Sequence, residues 1–382
     1  MNEKHELIQG ILDLERKTKK RVPGLLFEIC FSTSLFFQLE SRHKLGSPEF
    51  GWLYIKAASK DQTRHWFKVY KSRPVLSATA QKFIDSLPAE HRYFSIQIID
   101  VRLPGQLEAG ALSVDIMEFS PGGRIPEKTE LARKYETEIV AAIRRGLGPR
   151  GSRAFALQEY ADWFGDMSVD ELELLFVTRC LMNFGLPSPG DVDIIAVTEA
   201  GNPVVVEFKR KNPALGRLTH LGGQTACPHD LVTDAFEIAE CLLSARSSEE
   251  AQEIFSRERS ARNLEWSRKS CFGLDLVHYR TLQLCDECGV GFNYFIWDWT
   301  RERGGQKQWA AIDDLANVLS PSLSRKRDTH VVLLDLKPDN VSGLTWTFGS
   351  DSGSYTDSVR VQLTFDFEGR HVTRMAKKAQ SS

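Results

Sequence analysis

Asp191-Val-Asp-Ile-Ile-Ala-Val-Thr-Glu-Ala-Gly-Asn-Pro-Val-Val-Val-Glu-Phe-Lys-Arg-Lys211 is the stretch on which the reading of this chain turns. Two β-rich runs, Val192–Thr198 and Pro203–Lys209, flank an Ala200-Gly201-Asn202 turn signal, so the spacing predicts a β-hairpin. Asp193 and Glu207 are equally far from Ala200, and a hairpin centred there sets them opposite or nearly opposite each other. Side chains alternate along a strand, so Glu207 and Lys209 share a face while Phe208 points to the other. One end of the hairpin then carries two carboxylates and an amine. That is a costly place for charge, if buried, unless the charges are paired or used.

Two carboxylates of this kind suit a hard divalent cation, Mg²⁺ or Mn²⁺, which takes oxygen ligands and keeps several waters. Such an ion offsets charge that builds on a phosphoryl group under attack. A lysine two residues beyond the second acid can orient the attacking water or stabilise the developing negative charge. The structural alternative is a hairpin end whose Glu207, Lys209 and Arg210 pair across strands.

Asp193, the three valines 204–206 and the triplet Glu207-Phe208-Lys209 together resemble the PD-(D/E)XK nuclease superfamily, over about residues 165–300. In that family a proline precedes the first acid. Here the nearest proline is Pro189, and Asp191 competes with Asp193 for the role. The resemblance implies an α/β (α+β) fold with a restriction-endonuclease-like mixed sheet flanked by helices. It also implies Mg²⁺-dependent (or Mn²⁺-dependent) hydrolysis of phosphodiesters in nucleic acid, DNA before RNA. Asp193 and Glu207 would ligate the ion and Lys209 would position the water. The rival reading is a catalytically silent member of the same fold that binds nucleic acid or a protein partner.

The flanking segments follow the order of that family's core: helix, hairpin, helix, strand. Ser168–Phe184 reads as a helix opened by Ser168-Val-Asp-Glu171, a capping-box pattern that gives Glu171 a structural task. Glu173 falls on its apolar face with Phe176, Val177, Cys180 and Phe184. The resemblance makes it a third metal acid, and an ion pair with a lysine or arginine is the alternative. Beyond the hairpin, Arg210 and Lys211 are placed to line a nucleic-acid groove, or equally to form a solvated face. Leu274–Cys288 reads as a helix with Val277, Thr281, Leu284 and Cys288 as its apolar stripe. Tyr279, Arg280 and Gln283 then project from the other side. In the resemblance Tyr279 and Gln283 contact nucleic acid. Gly291–Trp299 supplies the closing strand.

Composition sets the frame. At 382 residues the chain exceeds a typical single domain, and 42% hydrophobic with 26% charged residues is ordinary for a globular protein. A net charge of −2 excludes a generic polyanion binder, so any nucleic-acid surface is a local patch. No apolar run reaches membrane-spanning length and Met1-Asn-Glu-Lys-His lacks a secretory core, so the expectation is a soluble cytoplasmic protein without membrane contact. Of seven cysteines, only Cys285 and Cys288 have metal-like spacing, with no second such pair to complete a zinc site; Cys227-Pro-His-Asp230 is a weaker set still.

The expected domains are residues 1–124, an N-terminal α/β domain with a regulatory or recognition role, and 125–320, the nuclease-like domain with an insertion at about 213–269. A β-rich extension covers 321–382. Before residue 124, helices are expected at 4–20 and Ser77–Leu87, and strands at Leu25–Cys30, Gly51–Ala57, His65–Tyr70 and Tyr93–Val101. No catalytic constellation stands out there. Further helices are expected at Pro126–Arg145, Arg153–Phe164, Asp230–Ala245 and from Ser248 to Arg262. A homodimer, and a ligand or partner at the N-terminal domain, fit the resemblance. A nuclease joined to an unassigned domain fits bacterial restriction or antiphage defence, by architecture alone.

Overall fold

The computed structural model describes residues 3–14, 45–55, 64–101, 112–119, 125–147, 164, 167–210, 214, 216–221, 227–269, 271–298, 329–348, 359–365 and 372–375. The expected strand at Leu25–Cys30, nearly all of the helix at 153–164, and Lys211 lie outside them. The described residues form a mixed α/β protein with seven α-helices and three sheets, none closed into a barrel. No helix among them is long and apolar enough to cross a membrane. The chain divides into two compact units, residues 1–207 and 208–382.

In the first unit, chain order runs α1 (Glu3–Leu14), β1 (Leu45–Glu49), β2 (Trp52–Ile55), β3 (His65–Tyr70), α2 (Ala78–Ser86), β4 (Arg92–Val101) and β5 (Leu112–Phe119). Then come β6 (Pro126–Glu127), α3 (Glu130–Gly146), α4 (Val169–Cys180), a π-turn at Leu181–Gly185, β7 (Pro189–Val192), β8 (Ile194–Thr198) and β9 (Pro203–Arg210). The division into units falls within β9, after Glu207.

The largest sheet of this unit has the order β6-β5-β4-β3-β2-β7. It is mixed, because β3 and β4 run parallel while the other pairs are antiparallel. Its two faces are both covered. On one, Phe67 and Phe94 stack at 5.2 Å and receive Tyr135 of α3 edge-on. On the other, Trp52 and Trp66 each meet Phe83 of α2 edge-on at 5.2 Å. Serine and threonine N-caps open both helices: Ser77 accepts from the Ala80 N–H and Thr129 from the Ala132 N–H. β7 pairs with β2, so strands from either side of the expected boundary at residue 124 share one sheet.

Two of these β-segments form one ribbon with a crease. β1–β2 lies antiparallel to β7–β8: one register runs from Glu49, paired with Ile195, to Trp52, paired with Val192, and β1 shifts register between Gly46 and Glu49. The β1–β8 half joins β9, while the β2–β7 half belongs to the six-stranded sheet. The crease falls at Gly51 and Asp193. Gly51 has a φ of 76°, a left-handed conformation that a residue with a Cβ adopts only under strain. Its carbonyl accepts the Val69 N–H at 3.3 Å, which anchors the bend to β3.

At the parallel β3–β4 edge, His65 lies opposite Arg92, and its Nδ1 is 2.6 Å from the Tyr135 hydroxyl. Burial, and next the Arg92 guanidinium, hold the imidazole below its ordinary 6.5, with Glu118 opposing them. The folded state therefore resists protonation of His65. Stability present at pH 7 is lost as the pH falls through 6.5 toward the lowered value. NMR titration of His65 should give a midpoint below 6.5. A midpoint at or above 6.5 would contradict this packing.

The second unit contains β10 (Arg217–His220), α5 (Pro228–Leu242), α6 (Ser248–Ala261), β11 (Leu264–Ser267), β12 (Phe272–Asp275), α7 (Leu276–Glu287) and β13 (Gly291–Asp298). It ends in β14 (Thr329–Asp335), β15 (Val341–Phe348), β16 (Val359–Phe365) and β17 (Val372–Met375). A five-stranded antiparallel sheet has the order β11-β10-β15-β16-β12. α5 packs on β15 and β16, and α7 on β12, β13 and β16. Asp234 of α5 ties the helices to the sheet by accepting from His220 at 2.7 Å and by an ion pair with Arg262 at 3.1 Å. Strands β13, β14 and β17 pair antiparallel in the chain's own order.

Candidate functional site

The hairpin forms at the register its sequence implies. Ile194 pairs with Val206, Ile195 with Val205, Ala196 with Val204 and Val197 with Pro203. Its turn is closed by the Gly201 N–H donating to the Thr198 carbonyl at 2.8 Å, and by the Thr198 N–H donating to the Asn202 carbonyl at 2.8 Å. Gly201 has a φ of 81°, the left-handed residue that a three-residue hairpin loop requires. Lys82 of α2 donates to the Gly201 carbonyl at 3.0 Å.

One step beyond the last pair, Ile194 and Val206, stand Asp193 and Glu207. Val204, Val205, Val206 and Phe208 are all buried, so β9 is covered on both faces along its length. Glu207 is 1% exposed, Asp193 half-buried, and Lys209 half-buried two residues further along the strand. None of the three is without a partner. The two aspartates differ in pairing. Asp191 lies in β7 opposite Leu53, whereas Asp193 sits at the crease, next to the hairpin's first pair.

Helix α4 begins as expected, with the Ser168 side chain accepting from the Glu171 N–H and the Glu171 carboxylate accepting from the Ser168 N–H. Glu173 takes the alternative role. It forms an ion pair with Lys71, just past the end of β3, and Lys71 also lies 3.7 Å from Asp170. The helix buries Leu172, Phe176, Val177 and Cys180, and Glu173 at the margin of that face reaches a cation supplied by the protein itself. Among the described residues, no three His, Cys, Asp or Glu side chains are grouped to hold a metal ion. A third acid at Glu173 is therefore not what the structure assembles.

Tyr279 is a second correction. Expected on the exposed side of α7, it is 2% exposed, with its ring 6.5 Å from that of Phe236 on α5. Burial, with Asp339 and Asp286 nearby, pushes its hydroxyl above the ordinary phenol range. Packing that includes Phe236 encloses a side that a one-stripe reading leaves to solvent, so Tyr279 is not available to nucleic acid. The same rotation buries Cys285, while Cys288 is only half-buried. Gln283 is half-buried, and Arg280 lies exposed with its guanidinium 4.8 Å from the centre of the Phe236 ring. Arg210 ends β9, and its side chain lies outside the described residues.

The structure also brings forward two charged residues absent from the sequence-based candidates. Glu49, at the end of β1, forms an ion pair with Lys68 of β3, and both side chains are 11% exposed. The Lys68 ammonium lies over the rings of Tyr70 at 5.1 Å and Trp52 at 5.6 Å. Tyr70 and Tyr93 share a hydrogen bond of 2.7 Å between their hydroxyls. Burial pushes the Lys68 amine down to about 7, and the Glu49 carboxylate in contact with it acts in the opposite direction. The available signal was a lysine inside the apolar run Trp66-Phe67-Lys68-Val69-Tyr70. Glu49 carried none, since Gly46-Ser-Pro-Glu49 has the composition of a turn. No family model matches the chain, and no significant similarity to a curated protein or to a solved structure is found.

Proposed function

We propose that the chain is a divalent-metal-dependent phosphodiesterase acting on nucleic acid, with DNA as the first substrate class, on a restriction-endonuclease-like core. One observation carries this reading. Asp193 and Glu207 stand one residue beyond the Ile194–Val206 pair, at the end of a hairpin whose Ile194, Ile195, Ala196, Val204, Val205 and Val206 are buried. Two carboxylates so close in the fold suit a hard divalent cation, which would offset the cost of desolvating them.

The donor set fits Mg²⁺ or Mn²⁺. Both prefer hard oxygen donors, and Mg²⁺ is commonly bound by one or two carboxylates together with substrate phosphate. Asp193 and Glu207 would hold the ion, which would supply Lewis acidity and charge neutralisation at the phosphoryl group. Lys209 follows Glu207 by two residues, on the same face of the strand. Its ammonium would orient the attacking water and donate to the oxygen on which negative charge builds.

The test is cleavage of supercoiled plasmid, linear duplex and single strands with Mg²⁺, Mn²⁺ or EDTA. Wild type would be run beside Asp193→Ala and Lys209→Ala. Metal-dependent cutting that is lost in both variants is the expected result. Cutting that survives both substitutions would place the activity elsewhere. Retained nucleic-acid binding with no cutting under any condition would instead favour the catalytically silent member of the fold.

A further inference from the structure

The five-stranded sheet of the second unit carries, on its outermost strand β11, an aromatic ring that packing fixes and solvent reaches. Trp266 is 46% exposed. Its ring nevertheless meets Trp346 of β15 at 5.6 Å, edge-on, and Trp346 in turn lies 4.6 Å from the ring of Phe255 on α6. The backbone of Gly216 also packs on the indole, leaving no room for a side chain at residue 216. A partner that covers a ring held in this way gains a large flat contact and immobilises little that was free.

Cations flank the ring along the same strand. Two residues after Trp266, Arg268 is exposed and has no ion pair among the described residues. Two residues before it, the Leu264 carbonyl accepts from Arg259 Nε at 3.0 Å. That bond engages one of the five N–H groups of the guanidinium. Arg259, Ser256 and Asn263 line a cavity of about 250 Å³ beside Leu264, with Glu265 as the one acid of its wall. The space is smaller than the about 300–1,000 Å³ of pockets for drug-sized ligands, and it suits a single small group presenting oxygen acceptors.

We propose that the β11 edge binds single-stranded nucleic acid. One base stacks on Trp266, Arg268 meets a backbone phosphate, and the neighbouring nucleotide enters the cavity, where Arg259, Ser256 and Asn263 donate to its oxygens. Alternation of a fixed aromatic face with arginines is the chemistry of such a platform, and a duplex, whose base faces are already stacked, cannot use it. An added protein strand is disfavoured, because Arg259 occupies a carbonyl that strand pairing along this edge would use. A chain with a net charge of −2 binds polyanions only through a local patch of this kind. The site lies wholly within the second unit and needs no metal ion, so it does not rest on the hairpin reading.

The experiment is fluorescence anisotropy of the whole protein with a labelled, unstructured DNA single strand, the same sequence as RNA, and the corresponding DNA duplex. EDTA is present throughout, so that no metal-dependent cleavage intervenes, and the salt concentration is varied. Wild type should bind a single strand more tightly than the duplex, and the DNA and RNA arms decide which single strand is preferred. Trp266→Ala should weaken binding by about tenfold, within the range for loss of one stacked base, while Trp266→Tyr should retain most of it. Arg268→Gln should weaken binding and lower the slope of log K against log salt by about 0.7, the contribution of one phosphate contact on a single strand.

Trp266→Ala removes packing against Trp346 as well as a stacking face, whereas Arg268 is exposed and its substitution leaves the sheet intact, so the change of salt slope tests the site apart from folding. Single-strand binding that depends on Trp266 and Arg268 would support the site even if no cleavage is ever seen. Binding unaltered in both variants but lost in Lys209→Ala would overturn it and place the contact at the hairpin. Wild type that binds no single strand would also overturn it. Self-association of wild type that Trp266→Ala abolishes, without any nucleic-acid binding, would make the ring a contact between copies of this chain instead.

Discussion

Glu207→Gln is expected to lower metal-dependent cleavage by about 10²–10³-fold, the size of effect seen when one electrostatic contact to a transition state is removed. The substitution keeps the shape and removes only the charge. The strand around it is held by Val204, Val205, Val206 and Phe208, all buried, and by its pairing with β8. Folding should therefore survive, which circular dichroism and a melting curve would check. In the proposed mechanism Glu207 would hold the ion that neutralises charge on the reacting phosphoryl group, so kcat and kcat/KM should fall together. A rise in KM with kcat preserved would mean that Glu207 serves binding alone. Full activity in Glu207→Gln would remove this hairpin from the catalytic site.

Trp52→Ala is expected to cost about 3–5 kcal/mol of stability, the range for deleting a large aromatic side chain from a core. Trp52 is fully buried in β2, paired with Lys68 on one side and Val192 on the other. Its ring meets Phe83 edge-on at 5.2 Å and Tyr93 at 5.3 Å, contacts that add to simple burial. Against a typical total of about 5–15 kcal/mol, that loss is large enough to leave a marginal protein. Trp52 is also the first residue past the crease, so its loss loosens the segment that sets Asp193. Urea denaturation would measure the effect, with Trp52→Phe as the milder control. A loss below about 1 kcal/mol would mean that the ring is not packed as described, since core truncations of this size rarely cost so little.

The hairpin shows how far a local pattern reaches. Its register follows from equal spacing about Ala200 and a glycine where the loop needs a left-handed residue, and both lie within a few residues of the paired strands. The capping box at Ser168 and Glu171, the strand at His65–Tyr70 and the closing strand at Gly291–Asp298 are local in the same sense. For each, periodicity and end signals are complete within the segment. The pair of acids at 193 and 207 was legible for that reason.

Partner choice was not legible. Val192 and Ile194 read as parts of one strand, yet the ribbon creases at Asp193 because Gly51, far away in sequence, lies opposite and can take a positive φ. The segment at Leu45–Glu49 contains Gly46 and Pro48, and it becomes a strand only because β8 offers it an edge. Glu173 has its place on the helix face written in the sequence, but whether a metal ion or Lys71 answers it depends on where β3 ends. Tyr279 can face solvent or core, and the residues packed around it, Phe236 among them, decide. The sequence by itself determined the hairpin, its turn and the two acids at its mouth, because these depend on backbone propensity and spacing over short range. The tertiary structure alone decided which charges neutralise one another and which face of each helix is covered, because those outcomes depend on segments brought together only by folding.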